Sequence, residues 1–257
     1  MNKKALIIDL DGTLLDANRM VSDYNIMKVN ECFDEGYCVI IATARPYRSV
    51  KELLPANLNI SYFILCNGAW IVRNKVVISR NEMDASSIKM LCDYLIARGY
   101  KPAIEADDSF FTDGEKDPGF IGQWYSLNEY DGVDACKVLA YKASGINAGD
   151  LTEISEDKYT CVITDNGTLL QISRKDCTKL AACEYILSLE GIGWKNTFAF
   201  CDDNNDLPVF EKAGFAIAME NATDCLKRKA KWVTESNLNN GVGVAIEKIV
   251  KGKALLS

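Results

Sequence analysis

Two aspartates interrupt an aliphatic stretch near the start of the chain, in the sequence LIIDLDGTLL at residues 6–15. Asp9 and Asp11 are two residues apart, so on an extended strand both carboxylates point to the same side. Gly12 lets the chain turn tightly behind them, and the backbone N–H groups of such a turn can hold an anion. Acids belong in a buried strand only when something neutralises them, so the pattern predicts a site with cationic partners. An acidic turn at the end of a strand is the alternative.

A second group of acids lies far downstream, in the sequence CDDNND at residues 201–206. If Asp202 and Asp206 share a pocket with Asp9 and Asp11, the carboxylates repel each other unless a cation lies among them. The chain contains no histidine, which excludes histidine-ligated zinc and catalytic triads that need histidine. Oxygen ligands alone suit Mg²⁺, so the pattern predicts a magnesium site. A helix N-cap is the alternative for this run, and both roles hold if Asp206 caps while Asp202 binds the metal.

Single polar residues end two further apolar strands, and a lysine follows a third. Thr43 ends the strand YCVIIATAR, Asn67 ends YFILCNGA, and Lys179 begins a helix after LQIS. Ligands of open parallel sheets bind outside the carboxyl ends of the strands, so we expect these groups to converge with the acids. Mg²⁺ sites in proteins commonly also bind a substrate phosphate, and such a site needs a cation to offset the charge on the transferred group. Lys179 would supply that charge, and Lys175 is the alternative. Taken singly, a strand cap, a plain turn and a surface lysine are the commoner fates of these three residues.

The order of apolar segments predicts an α/β fold with an insertion. Ser22 is a candidate N-cap for a helix that stops at Gly36, and strands precede and follow it, as in a Rossmann-like parallel sheet. Between residues 70 and 173 hairpins replace the crossovers, with a helix predicted over 85–98. We therefore predict a discontinuous α/β core domain, residues 1–79 and 176–257, and a smaller inserted α+β cap domain, residues 80–175.

The overall composition excludes several classes of protein. The chain has 257 residues, 48% of them apolar, and a net charge of −7, which argues against a nucleic-acid partner. No apolar run approaches the length of about 18 residues that spans a bilayer, and the N-terminus lacks a signal-peptide pattern, so we expect no membrane partner and a cytoplasmic protein. The ten cysteines include no C-x-x-C pair and are expected to be reduced core residues. A monomer is compatible with the sequence, which leaves the oligomeric state open.

The polar motifs together resemble a known superfamily. The sequence DLDGT at residues 9–13, then Thr43, Lys179 and DDNND occur in the order of the four motifs of the haloacid dehalogenase-like superfamily. The chain looks most like the Cof-type, subfamily IIB sugar-phosphate phosphatases, which carry an α/β cap between the second and third motifs. The sequences CNGA at 66–69 and AMENA at 218–222 also resemble that group. Ala44, Leu180 and Cys201 depart from it, because glycine is common at those positions.

The resemblance implies a role for each motif residue. Asp9 would be the nucleophile that forms an aspartyl-phosphate, and Asp11 the acid that protonates the leaving oxygen and then activates water. Thr43 and Lys179 would hold the phosphoryl oxygens. The implied ligands of Mg²⁺ are Asp9, the backbone at Asp11, Asp202 and Asp206, the last of them directly or through another ligand. The implied substrate-binding residues are Gly12, Thr43, Ala44, Arg45, Asn67, Lys179 and Asn205.

These roles predict an enzyme, a magnesium-dependent phosphatase that hydrolyses a small phosphorylated metabolite, most simply a hexose phosphate. A phosphomutase of the same superfamily is the first alternative, because it shares DxDGT and binds a second phosphate in its cap. A phosphate-binding module without turnover is the second. The sequence ADDSFFTDGEKDPGF at 106–120 is a candidate substrate loop, although the pattern favours an ordinary acidic surface loop with buried aromatic residues.

Overall fold

The computed structural model describes residues 3–106, 109–114, 122–154 and 156–251. The chain divides into two compact units. The first comprises Met1–Ala44, Glu52–Ile78 and Lys179–Ser257, and the second comprises Arg45–Lys51 and Ser79–Thr178. The short stretch Arg45–Lys51, which the sequence assigned to the core, is grouped with the second unit, where Arg48 forms an ion pair with Glu105. The remaining domain limits stay a prediction.

The described residues form strands and helices in an alternating order along much of the chain. The strands are β1 (Ala5–Ile8), β2 (Cys38–Ala42), β3 (Tyr62–Leu65), β4 (Trp70–Arg73), β5 (Val76–Arg80), β6 (Lys101–Glu105), β7 (Ser109–Thr112), β8 (Gln123–Tyr125), β9 (Lys137–Tyr141), β10 (Tyr159–Thr164), β11 (Leu169–Arg174), β12 (Thr197–Cys201), β13 (Phe215–Ala218) and β14 (Trp232–Val233). The α-helices are α1 (Asp23–Asp34), α2 (Tyr47–Leu53), α3 (Ala85–Ile96), α4 (Lys179–Glu190), α5 (Leu207–Lys212), α6 (Asp224–Lys229) and α7 (Gly241–Val250).

The first sheet has eight strands in the order β14-β13-β12-β1-β2-β3-β4-β5. Its strands from β14 to β3 are parallel, and β1 lies in the middle, paired with β2 on one side and β12 on the other. All of the residues in β1, β2 and β12 are buried, as expected when helices cover both faces of a parallel sheet. The predicted α/β, Rossmann-like fold is confirmed.

Helix α1 shows how local sequence sets an element of this unit. The Ser22 side chain accepts a hydrogen bond of 3.1 Å from the backbone N–H of Asn25 and so caps the helix, as predicted. Ile26 and Val29 lie on its buried face. Gly36 follows the helix with φ of 85°, a left-handed conformation that glycine adopts without a steric cost. The predicted helix is confirmed with both of its ends.

The second sheet has six strands in the order β10-β11-β9-β6-β7-β8. Its pairs are antiparallel except for β7 with β8, and its core includes buried side chains of α3. The predicted hairpin of β10 and β11 turns at Asn166 and Gly167, with φ of 54° and 87°. The segment at 106–120 is not the acidic loop that the sequence suggested throughout, because 109–112 pair as β7. Residues 107, 108 and 115–120 of that candidate loop lie outside the described residues.

The structure also bears on two predictions made from the composition, one on the cysteines and one on membrane spans. The ten cysteines are reduced, and eight of them are buried, all but Cys161 and Cys225, so the expectation of reduced cysteines that mostly line the core is confirmed. Among the described residues, no helix is both long enough and apolar enough to cross a membrane.

Candidate active site

The two acids of LIIDLDGTLL lie where β1 ends. The backbone N–H of Asp9 donates to the carbonyl of Phe200 at 3.1 Å, which continues the pairing of β1 with β12 by one residue. Asp9 is buried, whereas Asp11 is exposed. The chain then turns, and the N–H groups of Leu14 and Leu15 both donate to the carbonyl of Leu10. The aliphatic strand therefore fixes the position of Asp9, and the turn places Asp11 at its rim.

Lys179 is the first residue of α4 and is buried against the acids, with 4% of its surface exposed. Its Nζ donates to Asp9 Oδ1 at 2.6 Å and to Asp206 Oδ1 at 2.7 Å. This burial excludes the alternative that Lys179 is an ordinary surface lysine. The rival candidate Lys175 belongs to the second unit. One ammonium group thus joins the β1 acid to the acid that follows β12.

Asp202 and Asp206 follow β12 at the same edge of the sheet. Asp202 Oδ1 accepts a hydrogen bond of 2.8 Å from the Thr13 hydroxyl. Asp206 is the N-cap residue of α5, but its side chain makes no capping hydrogen bond among the described residues and its Oδ1 accepts from Lys179, so the alternative of a side-chain cap fails for this residue. Asp203 makes the local cap instead, by accepting from the N–H of Asn204. Asp206 Oδ2 is buried without a hydrogen-bond partner among the described residues.

Burial dominates the electrostatics of this cluster, and the attraction of Lys179 opposes it at Asp9 and Asp206. Burial raises the pKa of the Asp9 carboxyl, although Lys179 opposes the shift. Burial also raises the pKa of Asp202 to about 6 and that of Asp206 to about 7, with the neighbouring carboxylates adding to both. Desolvation alone would lower the pKa of Lys179, but the charges of Asp9 and Asp206 outweigh it and leave that pKa above its ordinary value. The cluster holds more negative than positive charge.

The cluster has the donor chemistry of a magnesium site. Two carboxylates, Asp9 and Asp206, share one lysine, and Asp206 Oδ2 has no proton donor among the described residues to satisfy it. In the described parts of the chain, no three Asp, Glu, Cys or His side chains are grouped so as to hold a metal by themselves. An ion here would therefore use few carboxylates and complete its shell with backbone oxygens, water or phosphate. Mg²⁺ commonly binds in this way, so the residues present fit it.

Gly12 allows the loop that carries Asp11 to lie close to the loop that carries Asp202. Its φ is +76°, and a Cβ built on it would lie 2.8 Å from Cγ of Asp202. Any side chain here would displace the Asp202 carboxylate, besides straining the backbone. The glycine of DLDGT therefore serves as a space for Asp202 as well as a turn residue.

The structure brings Thr43 and Asn67 together through their backbones. Thr43 is buried just beyond β2, its N–H donates to Ile64, and its carbonyl accepts from the N–H of Asn67 at 3.0 Å. Asn67 has φ of 58°, a left-handed conformation. Ala44 also belongs to the first unit, whereas Arg45 is grouped with the second. Asn205 is exposed in the turn before α5, and these substrate-binding roles stay predictions.

Sequence reasoning missed three residues that hold the acidic loops. Thr13 binds Asp202, Asn221 donates through Nδ2 to the carbonyl of Gly12 at 2.8 Å, and the N–H of Thr223 donates to the carbonyl of Asp202 at 2.9 Å. Thr13 and Asn221 belong to DLDGT and AMENA, so the motifs themselves were the available signal. Cys201 is buried at the end of β12, and burial holds the pKa of its thiol well above the ordinary value, which agrees with a packing role.

Residues 6–246 match the sequence profile of the family described as haloacid dehalogenase-like hydrolase. The chain belongs to this family. The match covers the acids of β1, Lys179 and the acids after β12 within one continuous alignment. The predicted superfamily is confirmed.

Curated relatives of similar length carry the names of phosphatases. The chain is 29% identical to 5-amino-6-(5-phospho-D-ribitylamino)uracil phosphatase YwtE of Bacillus subtilis, over 97% of this chain and 99% of that protein. It is 27% identical to the phosphoglycolate phosphatase of Methanobrevibacter smithii, over 97% and 100% of the two chains. The chain is therefore a phosphatase of the haloacid dehalogenase-like superfamily, which is the predicted enzyme class.

Solved structures share the fold. A haloacid dehalogenase-like hydrolase from Bacteroides thetaiotaomicron superposes with a TM-score of 0.82 at 21% identity, over 96% of this chain and 100% of that one. A sugar phosphatase of subclass IIB, BT4131, superposes with a TM-score of 0.80 at 20% identity, over 96% and 99%. At these identities the similarity establishes the fold alone.

Proposed function

We propose that the chain is a magnesium-dependent phosphatase that hydrolyses a small phosphorylated metabolite through an aspartyl-phosphate at Asp9. The observation that carries the proposal is the placement of Lys179, buried between Asp9 and Asp206 at the carboxyl ends of β1 and β12. A buried carboxylate held by an ammonium group is a nucleophile with a fixed direction. The neighbouring Asp11 is exposed and so can exchange protons with a bound ester and with water.

The first half of the reaction transfers the phosphoryl group to the protein. A carboxylate oxygen of Asp9 attacks phosphorus, the bond from phosphorus to the ester oxygen breaks, and Asp11 donates a proton to that leaving oxygen. Lys179 and the Thr43 hydroxyl offset the charge on the phosphoryl oxygens. Mg²⁺, when bound by Asp9, the backbone at Asp11 and Asp202, would supply further charge neutralisation at the phosphoryl group, with Asp206 in support.

The second half restores the enzyme. Asp11, now a carboxylate, accepts a proton from water as the water oxygen attacks phosphorus. The bond from phosphorus to Asp9 breaks, and inorganic phosphate leaves. Because the chain contains no histidine, a carboxyl group is the natural proton carrier for both halves.

Two kinds of substrate deserve the first assays. The resemblance to subfamily IIB points to hexose phosphates, and a structural neighbour is named as a sugar phosphatase of that subclass. Several relatives are named for 5-amino-6-(5-phospho-D-ribitylamino)uracil and one for phosphoglycolate. All of these are small phosphate monoesters with an alkyl leaving oxygen. The leading class is therefore the phosphorylated sugar or sugar alcohol.

A phosphate-release panel with and without Mg²⁺ tests the proposal. The purified chain should release phosphate from at least one of these esters, lose that activity in EDTA, and regain it when Mg²⁺ is added in excess. Activity that survives EDTA would refute the magnesium dependence. Clean conversion of hexose 1-phosphate to hexose 6-phosphate without release would favour a phosphomutase. Binding without turnover on the whole panel would favour a phosphate-binding module. The cytoplasmic location stays a prediction from the sequence, and the oligomeric state stays open.

A further inference from the structure

The turn between β13 and α6, residues 219–223, holds both acidic loops of the site. On one side, Asn221 Nδ2 donates to the carbonyl of Gly12 at 2.8 Å. On the other side, the N–H of Thr223 donates to the carbonyl of Asp202 at 2.9 Å, and the Thr223 hydroxyl donates to Asn204 Oδ1 at 2.9 Å. This turn therefore sets the spacing between the loop that carries Asp11 and the loop that carries Asp202.

A second asparagine, Asn237, also forms a hydrogen bond with the loop that carries Asp11. Asn221 Oδ1 accepts from the backbone N–H of Asn237 at 3.0 Å, and Asn237 Nδ2 donates to the carbonyl of Leu15 at 2.8 Å. The carbonyls of Gly12 and Leu15 are thus held by two asparagines that are hydrogen-bonded to each other. Asn221 uses both ends of its amide on backbone groups from distant parts of the chain.

These hydrogen bonds restrain the loop that carries Asp11. Asp9 is fixed by a buried strand and by Lys179, whereas Asp11 is exposed on a turn whose own backbone bonds run to Leu10. The bond from Asn221 to the Gly12 carbonyl fixes the peptide that follows Gly12 and so limits rotation of the turn. A proton donor that shifts by about 1 Å loses on the order of 100-fold in rate, so this restraint is worth more to catalysis than to folding.

We infer that Asn221 is a positioning residue for Asp11, and that Asn237 acts through Asn221. The inference rests on the proposed function, in which Asp11 protonates the leaving oxygen. Asn221 is itself exposed, so its replacement removes a solvent-accessible hydrogen bond and leaves the buried core intact. Its loss therefore affects the proton-transfer step more than the fold.

The dependence of the rate on the leaving group tests this role. An alkyl phosphate needs its leaving oxygen protonated, whereas 4-nitrophenyl phosphate leaves readily as a phenolate. Asn221→Ala should therefore lower kcat for the fastest alkyl ester of the panel by about 10-fold more than kcat for 4-nitrophenyl phosphate, a part of the 10²- to 10⁴-fold that general acids contribute. Asn237→Ala should also lower kcat for the alkyl ester more than kcat for 4-nitrophenyl phosphate, but by a smaller factor.

A matched control separates positioning from general loosening. Asn30 makes the same two kinds of bond elsewhere in the first unit, donating to the carbonyl of Asn57 and accepting from the N–H of Asn59, each at 2.8 Å. Asn30→Ala should leave the ratio of the two rates unchanged. Thermal melting of all variants confirms that each is folded under the assay conditions.

Asp11→Asn is the reference for the outcome. If Asp11→Asn discriminates between the esters and both asparagine variants do not, the inference is overturned and the proposed function stands. If Asp11→Asn shows no discrimination, the acid role of Asp11 fails, and the inference fails with it. The positioning role is supported if Asn221→Ala and Asp11→Asn both lower kcat for the alkyl ester more than kcat for 4-nitrophenyl phosphate, and Asn30→Ala does not.

Discussion

Each of the two units buries a basic side chain against acids, and the two clusters differ in balance. In the first unit, Lys179 is shared between Asp9 and Asp206, and one oxygen of Asp206 has no hydrogen-bond partner in the part of the chain that the structure describes. In the second, Arg48 pairs with Glu105 and also donates to the carbonyl of Ala106 at 3.5 Å. One cluster places two carboxylates on one ammonium group, whereas the other pairs one guanidinium with one carboxylate, on which the charge of Lys137 also acts.

The difference separates a reactive site from a structural one. A buried pair with matched charges has little to gain from another ion, although removing one partner is costly. A buried cluster with too many carboxylates is stable only when a proton or a cation completes it, and such clusters are typical of active sites. The imbalance around Lys179 is therefore the electrostatic signature that we connect with Mg²⁺ and phosphate.

Asp9→Asn should abolish turnover and spare the fold. The amide cannot attack phosphorus, so kcat should fall by at least about 10³-fold. The free energy of unfolding should stay within about 1 kcal/mol of the parent, because asparagine fills the same space and Lys179 keeps Asp206. Phosphate release and urea unfolding measure the two effects. Asp34→Asn, which neutralises an exposed acid at the end of α1, is the control, and turnover by Asp9→Asn at the parent rate would refute the nucleophile.

Gly12→Ala should damage activity far more than the equivalent change in the second unit. The new Cβ would collide with the Asp202 carboxylate, and the displaced acid should lower kcat by about 100-fold. Gly99 is the matched control, since its φ is also +76° but a Cβ there meets nothing within 4 Å.

Both variants share the strain of a left-handed alanine, which costs about 1 kcal/mol of stability. Only Gly12→Ala should also lose activity. Equal activity in the two variants would show that Asp202 does not need the space that Gly12 leaves. Steady-state rates and thermal melts of both variants distinguish strain from collision.

Arg48→Met should destabilise the protein by about 3 kcal/mol at neutral pH, because it leaves the Glu105 carboxylate buried without its cation. Burial already raises the pKa of Glu105, with Arg48 opposing, so the variant should raise that pKa further. A carboxyl whose pKa is higher in the folded state than in the unfolded state destabilises the fold as pH rises. The deficit should therefore shrink as pH falls from about 7 toward the unfolded pKa of about 4.

The double variant Arg48→Met/Glu105→Leu gives the complementary measurement. Replacing both partners by apolar residues removes the unpaired charge, so most of the lost stability should return. Urea unfolding at two pH values measures the single and the double variant. A double variant as unstable as Arg48→Met would mean that packing, rather than charge, causes the loss.

The smallest effects concern two helix caps, one in each unit. Ser22→Ala and Asp84→Ala should each cost about 1 kcal/mol, since each side chain accepts a hydrogen bond from the third residue of its helix. The Ser86 hydroxyl and the N–H of Ser87 hold the pKa of Asp84 below its ordinary value. Stability from a depressed carboxyl is present above its unfolded pKa and is lost as pH falls toward its folded pKa.

The two caps should therefore differ in their pH dependence. The cost of Asp84→Ala should diminish between about pH 5 and about pH 2, while that of Ser22→Ala should stay constant. Paired urea titrations at both pH values measure this. A constant cost for Asp84→Ala would mean that its charge does not contribute to the cap.

Much of the fold followed from local patterns in the sequence. The apolar runs of β1, β2 and β12, the Ser22 cap and the Asn166-Gly167 turn were all predicted, because strand burial, caps and turns depend on residues close together in the chain. The strand at 109–112 was missed, since acids and glycines surround its two phenylalanines and only pairing with β6 and β8 makes it a strand.

The site followed from sequence only in part. The motifs pointed to Asp9, Asp11, Lys179 and Asp202, and the structure gathers three of them through hydrogen bonds or shared charge. The roles of Thr13 and Asn221 were missed, because a hydrogen bond to a residue some 200 positions away leaves no periodic trace. The alternative of a side-chain cap at Asp206 fails for the same reason, since Lys179 donates to its Oδ1.

The sequence by itself determined which groups are available: five aspartates in two short motifs, one well-placed lysine and no histidine, and hence a chemistry of carboxylates, phosphate and a hard cation. Tertiary structure decided how those charges are shared. It buried Lys179 between Asp9 and Asp206, left one oxygen of Asp206 without a partner among the described residues, and joined the Asp11 loop to two distant asparagines by hydrogen bonds. The physical reason is that pairing and desolvation of charges depend on neighbours in space, which the parallel order of the strands brings to one edge of the sheet.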